Sequence, residues 1–231
     1  MPRTSTVTAP PIERQTSAPL VSQIVERLEE MIFSGAIDAG RKLNELTISK
    51  QFGVSRTALR EAVRLLEQAG LVVVEPGRGV FVRRISVKQA LDLFDVRAGF
   101  ARTAGRLAAL RASEAQIGEL DALHAAMMAC RTALDFPGYF DLNTRFHAVI
   151  FAAAGNERLT LLNEMINNEL NLFNRRNMAR APYLDISIQE HERILTCIRS
   201  RDGERAARAF ERHVLGGRQR MLEMLPEDSA A

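Results

Sequence analysis

The 231-residue sequence has no tryptophan, only two tyrosines and two cysteines, and no long uninterrupted apolar stretch. Cys130 and Cys197 cannot build a disulfide framework or a CxxC metal knuckle, so we expect buried free thiols in a reducing cytoplasm. A bilayer span needs roughly 20 consecutive apolar residues, and the first residues contain no apolar signal-peptide core. We therefore expect a cytoplasmic protein without a membrane partner.

Neither sign of charge is in large excess: the chain has 31 Lys and Arg against 28 Asp and Glu, a net charge of +3. The excess is not evenly spread, because residues 1–86 hold 12 basic and 9 acidic side chains and the remainder is balanced. Apolar residues make up 46% and charged residues 26%, which is typical of a globular protein with an ample core. The length fits one large domain or two ordinary ones, and the uneven charge favours two modules with different partners.

The front of the chain has the pattern of a winged helix-turn-helix. Residues 1–18 are rich in Pro, Ser and Thr and predict a disordered tail. Three helical segments follow, the first from Leu20 to Ser34, the second around 45–52, and the third beginning after a cap at Ser55. Two short β-branched runs then flank the turn at 75–79. We predict a DNA-binding domain over residues 19–85.

The remainder of the chain is helical in its periodicity and shows no internal repeat. It predicts an all-α bundle over residues 86–225 and a short tail at 226–231, so the protein as a whole is expected to be mainly α. The bundle's predicted helices span 88–112, 114–134, 137–154, 156–180, 187–200 and 203–223.

The third helix begins with polar residues that suit a recognition helix. Arginine can hydrogen-bond a guanine edge through two parallel bonds, and Ser or Thr suits phosphates or bases. The wing tip places one Arg between two glycines, so its backbone can approach the minor groove. A solvated helix face is the alternative, but the turn, cap, hairpin and basic excess together favour double-stranded DNA. The predicted DNA contacts are Ser55, Arg56, Thr57, Arg60, Arg78 and Gly79.

Three of the four histidines lie on the apolar stripes of their predicted helices. His147, His191 and His213 each turn an imidazole toward the bundle interior, and Asn143 precedes His147 by one helical turn. Neutral imidazoles are common ligands for zinc and other transition metals. The alternative is that each is a core histidine satisfied by a carbonyl or water, which is what we expect for His124.

The motifs of the predicted DNA-binding domain and of the helical bundle each resemble a known protein family. The segments GVSRTALREA (53–62), LLEQAGL (65–71) and GRGVFV (77–82) resemble the winged-helix domain of GntR-superfamily repressors, whose usual form GVSRTPVREAL has Pro where this chain has Ala58. That resemblance implies operator contacts by Arg56, Thr57 and Arg60, with Gly79 at the wing. Leu46 and Thr47 replace an Arg or Glu frequent in relatives, so a base contact made there is not carried over.

The bundle is similar to the FCD effector domain of the FadR subfamily, through Phe146-His147, AAGNERL (153–159), Glu190-His191 and Arg212-His213. In that family an Asp and three His bind a metal, and Asn143 occupies the Asp position here. The resemblance also implies that Arg97 lines the effector pocket and can meet a carboxylate, although Ala101 replaces the Glu that follows it in the family. An all-neutral ligand set would leave a divalent ion its full charge and hold an anionic ligand more strongly.

We therefore expect a homodimeric transcriptional regulator of operator DNA that responds to a small carboxylate at a metal, zinc as first choice and nickel as second. In one alternative the three imidazoles bind an anionic effector without metal. In another, a DNA-binding domain is fused to a metal-dependent hydrolase. Glu190 precedes His191 in the sequence, but neighbouring residues lie about 100° apart around a helix, so we expect its side chain to point elsewhere. Hydrolysis would then lack the base that it needs, and we expect no enzyme activity.

Overall fold

The computed structural model of the chain describes residues 20–174 and 181–224, and the expected tails at 1–18 and 226–231 lie outside these ranges. The described residues form two compact units. The first contains residues 20–86 together with the second half of a long helix, from Met165 to Asn174, and the second contains Val87–Glu164 and residues 181–224. The sequence did not anticipate that a segment this late in the chain would join the first unit.

The first unit is a winged helix-turn-helix, as the sequence predicted. Its sheet is antiparallel in the order β1-β3-β2, with Val73 opposite Phe81 and Leu43 opposite Val80. The two-residue strand β1 was not predicted from the sequence. The elements are α1 (Leu20–Ser34), β1 (Lys42–Leu43), α2 (Glu45–Phe52), α3 (Arg56–Gln68), β2 (Val72–Glu75) and β3 (Gly79–Val82).

Capping residues fix the turn between α2 and α3. The Asn44 side chain accepts a hydrogen bond from the Thr47 amide at 3.1 Å, and Ser55 Oγ accepts one from the Ala58 amide at the same distance. Between them Gly53 adopts a left-handed conformation with φ 67°, which a residue with a Cβ rarely adopts. The cap predicted at Ser55 is therefore confirmed, and the turn points the first residues of α3 in a defined direction.

A single apolar core holds the first unit together. Leu28 from α1, Leu59 and Leu66 from α3, and Leu71 beside the sheet are all fully buried. Burial of one such side chain stabilises a fold by about 1.5–3 kcal/mol. The core therefore packs against one face of α3, and the opposite face is exposed to solvent.

The second unit is an all-α bundle, again as predicted. Residues 157–164 of α7 belong to it. Its elements are α4 (Val87–Arg111), α5 (Glu114–Ala133), α6 (Phe136–Ala153), the first part of α7 (Glu157–Asn174), α8 (Ala181–Arg199) and α9 (Gly203–Met224).

Small residues let α4 and α9 approach each other closely. Ala101, Ala104 and Ala108 form a fully buried stripe along α4. Gly105 lies in the same stripe, and a Cβ added there would come within 2.8 Å of the Ala206 carbonyl oxygen on α9. The backbones therefore meet without an intervening side chain, and this fixes the position of the residues that α9 carries.

One helix boundary was wrong in the sequence analysis. α8 begins at Ala181, six residues before the predicted start at 187, and Pro182 is its second residue. Proline lacks a backbone N–H, but the N–H groups of a helix's first turn have no intrahelical partner, so proline is tolerated there. The extra turns lengthen the helix that carries one of the candidate metal ligands.

None of the helices in the described ranges is long and apolar enough to cross a membrane.

Candidate functional site

Three buried imidazoles meet inside the second unit. α6 supplies His147, α8 supplies His191 and α9 supplies His213, and their exposed fractions are 6%, 0% and 6%. The Nε2 atom of His147 lies 3.0 Å from that of His213 and 3.3 Å from that of His191, and the last two are 3.3 Å apart. The helical periodicity of the sequence predicted that all three imidazoles face the bundle interior, and the structure confirms that they converge there.

The spacing of the three nitrogens suits a transition metal. Metal–nitrogen bonds of about 2.0–2.1 Å place two ligand nitrogens about 2.9 Å apart at a right angle and about 3.4 Å apart at a tetrahedral angle. The observed separations of 3.0–3.3 Å lie between these limits. The triad could therefore hold a metal ion without rearrangement of the helices that carry it.

The imidazoles are electrically suited to the same role. Burial, together with the neighbouring His213 and Arg97, lowers the pKa of His147 well below its usual value of 6.5. Burial and the other two triad imidazoles do the same to the pKa of His191. The pKa of His213 is also lowered by burial, although its hydrogen bond to Glu190 opposes the shift. All three are neutral at physiological pH, the form in which an imidazole nitrogen can donate a lone pair.

Glu190 contacts the triad, contrary to the sequence expectation that it would point elsewhere. Its Oε2 atom accepts a hydrogen bond from His213 Nδ1 at 2.8 Å, and Arg220 Nη2 donates to the same oxygen at 3.0 Å. Burial opposes ionisation, but these two donors hold the pKa of Glu190 below its ordinary value. The angle around α8 was right, but a glutamate side chain is long enough to reach the neighbouring helix.

Arg97 lies on the other side of the triad. Its Nη2 atom is 3.4 Å from His147 Nδ1, and burial lowers the pKa of the guanidinium to about 10, so it stays charged. Its Nε atom is buried without a hydrogen-bond partner. Arg97 is thus directed at the triad and is not a surface arginine on α4.

The remaining predicted ligand and the fourth histidine have different surroundings. Asn143 is half-buried on α6, one turn before His147, and its role as a ligand stays a prediction. His124 is buried on α5, with Nε2 3.1 Å from the Ile188 carbonyl oxygen and Nδ1 3.3 Å from Glu192 Oε2. The expectation that His124 is a core histidine satisfied by its neighbours is confirmed.

The start of α3 presents the predicted DNA-contacting residues to solvent. Ser55, Arg56, Thr57 and Arg60 are all exposed. The Arg60 side chain is 62% exposed, and its Nε atom lies 3.6 Å from Glu45 Oε1 on α2, a distance at which the ion pair is weak and easily exchanged. The basic groups of α3 are therefore available to an anionic partner.

The wing carries two further cations over one aromatic ring. Lys42 Nζ and the Arg78 guanidinium carbon lie 5.9 and 5.6 Å from the centre of the Phe81 ring, and Arg78 also pairs with Glu75. Gly79 has φ 112°, and a Cβ there would come within 2.8 Å of Lys42 Cε. A glycine is required at this position by its backbone conformation.

Two known families match these two units. The family described as bacterial regulatory proteins, gntR family, matches residues 20–82, and the FCD domain matches residues 92–216. The second match alone covers more than half of the chain. The members of these families are transcriptional regulators and not enzymes.

Individual relatives agree with these matches. The chain is 27% identical over 198 residues to the uncharacterized HTH-type transcriptional regulator YdhC of Bacillus subtilis (strain 168), covering 85% of this chain and 87% of YdhC. It is also 27% identical over 198 residues to the HTH-type transcriptional repressor RspR of Escherichia coli (strain K12), covering 85% and 86%. The fold is similar to that of E. coli McbR/YncC, with a TM-score of 0.75 at 18% identity over 90% of this chain and 99% of that one.

The winged helix with its exposed basic helix α3, the all-α bundle with its buried histidine triad and both family matches agree. This chain belongs to the GntR family of bacterial regulatory proteins and is a transcriptional regulator with an FCD effector domain.

Proposed function

We propose that this regulator binds operator DNA as a homodimer and is controlled by a small carboxylate that binds at a divalent metal in the second unit. The observation that carries the proposal is the histidine triad, whose three Nε2 atoms lie 3.0–3.3 Å apart in a buried position. Burying three polar rings in a core is unfavourable unless their nitrogen atoms are satisfied by a partner, and a metal ion would be such a partner.

On the DNA side, the first turn of α3 would enter the major groove and the wing would lie along the minor groove. Arg56 and Arg60 would read base edges, while Ser55 and Thr57 would contact phosphates or bases. Arg78, with Gly79 beside it, would contact the minor groove. A single recognition helix makes few contacts, and two-fold pairing lets two half-sites add their affinities.

On the effector side, His147, His191 and His213 would hold the metal and the Asn143 carbonyl oxygen would complete the set. Zinc is the first choice and nickel the second, because nitrogen-rich sites suit both. When bound, the ion would supply a positive centre that an anion can ligate. All four ligands are neutral, so the ligands themselves would not reduce that charge.

Arg97 would provide the second contact to a carboxylate effector. Its guanidinium is charged, buried and directed at the triad, and a guanidinium matches the two oxygens of a carboxylate. Effector binding would then change operator affinity if the effector binds one arrangement of the two recognition helices in the dimer more tightly than another.

The DNA assignment is tested with Arg60→Ala and a matched control, Arg158→Ala, which removes the same charge from an exposed position on α7. The probe is a duplex selected from a random pool by the wild-type protein, at fixed salt. One lost base contact is worth about 1–3 kcal/mol, so Arg60→Ala should weaken binding about 5- to 150-fold. Equal affinities for the two variants would contradict the assignment.

The metal assignment is tested by elemental analysis of protein purified without a histidine tag. Wild-type protein and a His124→Ala control should carry one metal ion per chain, since His124 has its own partners away from the triad. A His191→Ala, His213→Ala double variant should carry none. Stoichiometric metal in the double variant would rule the triad out as the site.

The effector class is tested by thermal unfolding with a panel of small carboxylates. An effector that binds the folded state stabilises it, so the zinc-loaded protein should melt at a higher temperature with the right carboxylate. If the chelator-treated protein is stabilised equally, the imidazoles bind the anion directly and the metal is not required.

A further inference from the structure

A second charged site lies between α8 and α9, and none of the triad histidines lines it. A cleft of about 420 Å³ opens there, which is within the range of small-ligand pockets, about 300–1,000 Å³. Four arginines line this arginine cleft, one from α8 and three from α9: Arg193, Arg205, Arg208 and Arg212. The cleft is therefore both concave and strongly basic.

Small side chains give the cleft its depth. Cys197 of α8 and Ala209 of α9 belong to the lining and are buried, with exposed fractions of 6% and 7%, whereas the four arginines are exposed. The described residues of the lining include no aromatic ring. The cleft therefore offers charged hydrogen-bond donors at its rim and no stacking surface for a planar ligand.

Three of the arginines follow one face of α9. Arg205, Arg208 and Arg212 are separated by three and four residues, so they are neighbours on the helix surface and extend over about 10 Å along its axis. Like charges at this spacing destabilise a helix, and Arg193 adds a fourth positive charge from α8. An anion bound along this face would remove the repulsion.

Carboxylates of α9 and the residue before it neutralise these charges only in part. Arg205 Nε lies 3.9 Å from Asp202 Oδ2, and Arg208 pairs with Glu204 at 3.8 Å. Exposed ion pairs at such distances are weak, and others in the second unit are as short as 2.6 Å. Arg212 donates through Nε to the Arg208 carbonyl oxygen at 3.2 Å. The outer nitrogens of these guanidinium groups are thus available to another acceptor.

The carboxylate in the lining, Glu192, has partners of its own. Its Oε2 atom lies 3.3 Å from His124 Nδ1, and its Oε1 atom accepts a hydrogen bond from Arg199 Nη1 at 3.3 Å. Arg193, the next residue on α8, has no ion-pair partner in the part of the chain that the structure describes. The positive charge of the cleft is therefore not cancelled from α8.

We propose that the arginine cleft binds a linear oligophosphate, the chain of phosphate groups present in inorganic triphosphate and in nucleoside triphosphates. A guanidinium donates two parallel hydrogen bonds to a phosphate. Linked phosphates carry their charges along a line, as the three arginines of α9 do, whereas a single phosphate meets only part of that line. The concave shape and small volume of the cleft favour such a molecule over the backbone of a nucleic acid. This site is independent of the proposed metal and carboxylate site.

Calorimetric titration of the full chain with inorganic triphosphate, at fixed salt and with a chelator present, tests the proposal. An Arg208→Gln, Arg212→Gln double variant should bind about 10- to 100-fold more weakly than wild type, since each exposed charge-assisted contact is worth about three- to tenfold. The matched control Arg145→Gln, Arg158→Gln removes the same charge from exposed positions on α6 and α7 and should bind like wild type. An equal loss in both double variants would reduce the effect to net charge and overturn the proposal.

Three further probes identify what is recognised. Inorganic phosphate should bind at least about tenfold more weakly than triphosphate, because it meets fewer guanidinium groups; equal binding would show an adventitious ion only. ATP that binds more tightly than triphosphate would identify a nucleotide as the source of the phosphate chain, and weaker binding would identify the inorganic chain. A non-operator DNA duplex that displaces triphosphate, and that the Arg208→Gln, Arg212→Gln variant no longer binds, would assign the cleft to nucleic acid and overturn the proposal.

The fold and association state of the variants are checked in the same experiments. Without ligand, Arg208→Gln, Arg212→Gln should unfold in urea at the wild-type midpoint or above it, because the change removes like-charge repulsion. A changed association state in sedimentation would show that the arginines contact a second copy of the chain, against the proposal. Should the glutamine variant not fold, Arg208→Lys, Arg212→Lys keeps the charge but loses both planar forks and should bind triphosphate about three- to tenfold more weakly; wild-type affinity in it would overturn the proposal.

Discussion

Acidification should destabilise the metal-free protein through its histidine triad. Burial lowers the pKa of His147 and His191 well below 6.5 and that of His213 below it, so the fold holds three neutral imidazoles. The unfolded chain binds protons at these positions as the pH falls through about 6.5, while the folded chain binds them only at a lower pH. Stability is therefore fully present above that pH and is lost as the pH falls below it.

The size of the effect follows from the number of imidazoles. For one histidine that stays neutral in the fold, lowering the pH from 7.5 to 5.5 costs about 1.4 kcal/mol of unfolding free energy. Three give about 4 kcal/mol, a large part of the 5–15 kcal/mol typical of a whole domain. The hydrogen bond from His213 to Glu190 partly offsets the shift at that residue, so about 4 kcal/mol is the upper limit.

The measurement is urea unfolding at several pH values in the presence of a chelator, with the slope of free energy against urea checked for constancy. His191→Leu provides the matched control, because it removes one titrating group from a fully buried position and fills the space with an apolar side chain. Its loss of stability over the same range should be about one third smaller. A pH-independent midpoint in the wild type, or an equal loss in His191→Leu, would refute the reasoning.

Two further predictions concern packing and capping. Gly105→Ala should destabilise the second unit by about 1–3 kcal/mol despite the better helix propensity of alanine, because the new Cβ would meet the Ala206 carbonyl oxygen at 2.8 Å; a rise in the urea midpoint would contradict this. Ser55→Ala should cost the first unit about 1 kcal/mol by removing the hydrogen bond to the Ala58 amide, with Ser55→Thr as a control that keeps it; identical melting curves for all three proteins would show that the cap contributes nothing.

The parts of the structure that periodicity governs could be predicted from the sequence. The apolar periodicity placed α1, the two wing strands and, apart from the start of α8, the helices of the bundle close to their observed positions. The same argument placed His147, His191 and His213 in the interior, because a residue on the apolar stripe of a packed helix has only the interior to face. Their convergence on one point needed only that the three helices pack together.

The parts that depend on side-chain reach could not be predicted in this way. Glu190 lies off the apolar stripe of α8, and only the position of α9 shows that its carboxylate meets His213 at 2.8 Å. The contact of Arg97 with His147 likewise depends on the placement of α4 beside α6. A periodic pattern gives the direction of a Cβ but not the end point of a side chain three or four bonds longer.

The carboxylate of Glu190 has a mechanical consequence. It is held by His213 and by Arg220, two groups on α9 that are separated by two helical turns. Sliding α9 along α8 by a single residue, about 1.5 Å, would pull both groups off the carboxylate at once. The two contacts therefore hold α8 and α9 in one register, and a displacement that slides α9 along α8 would have to break both of them.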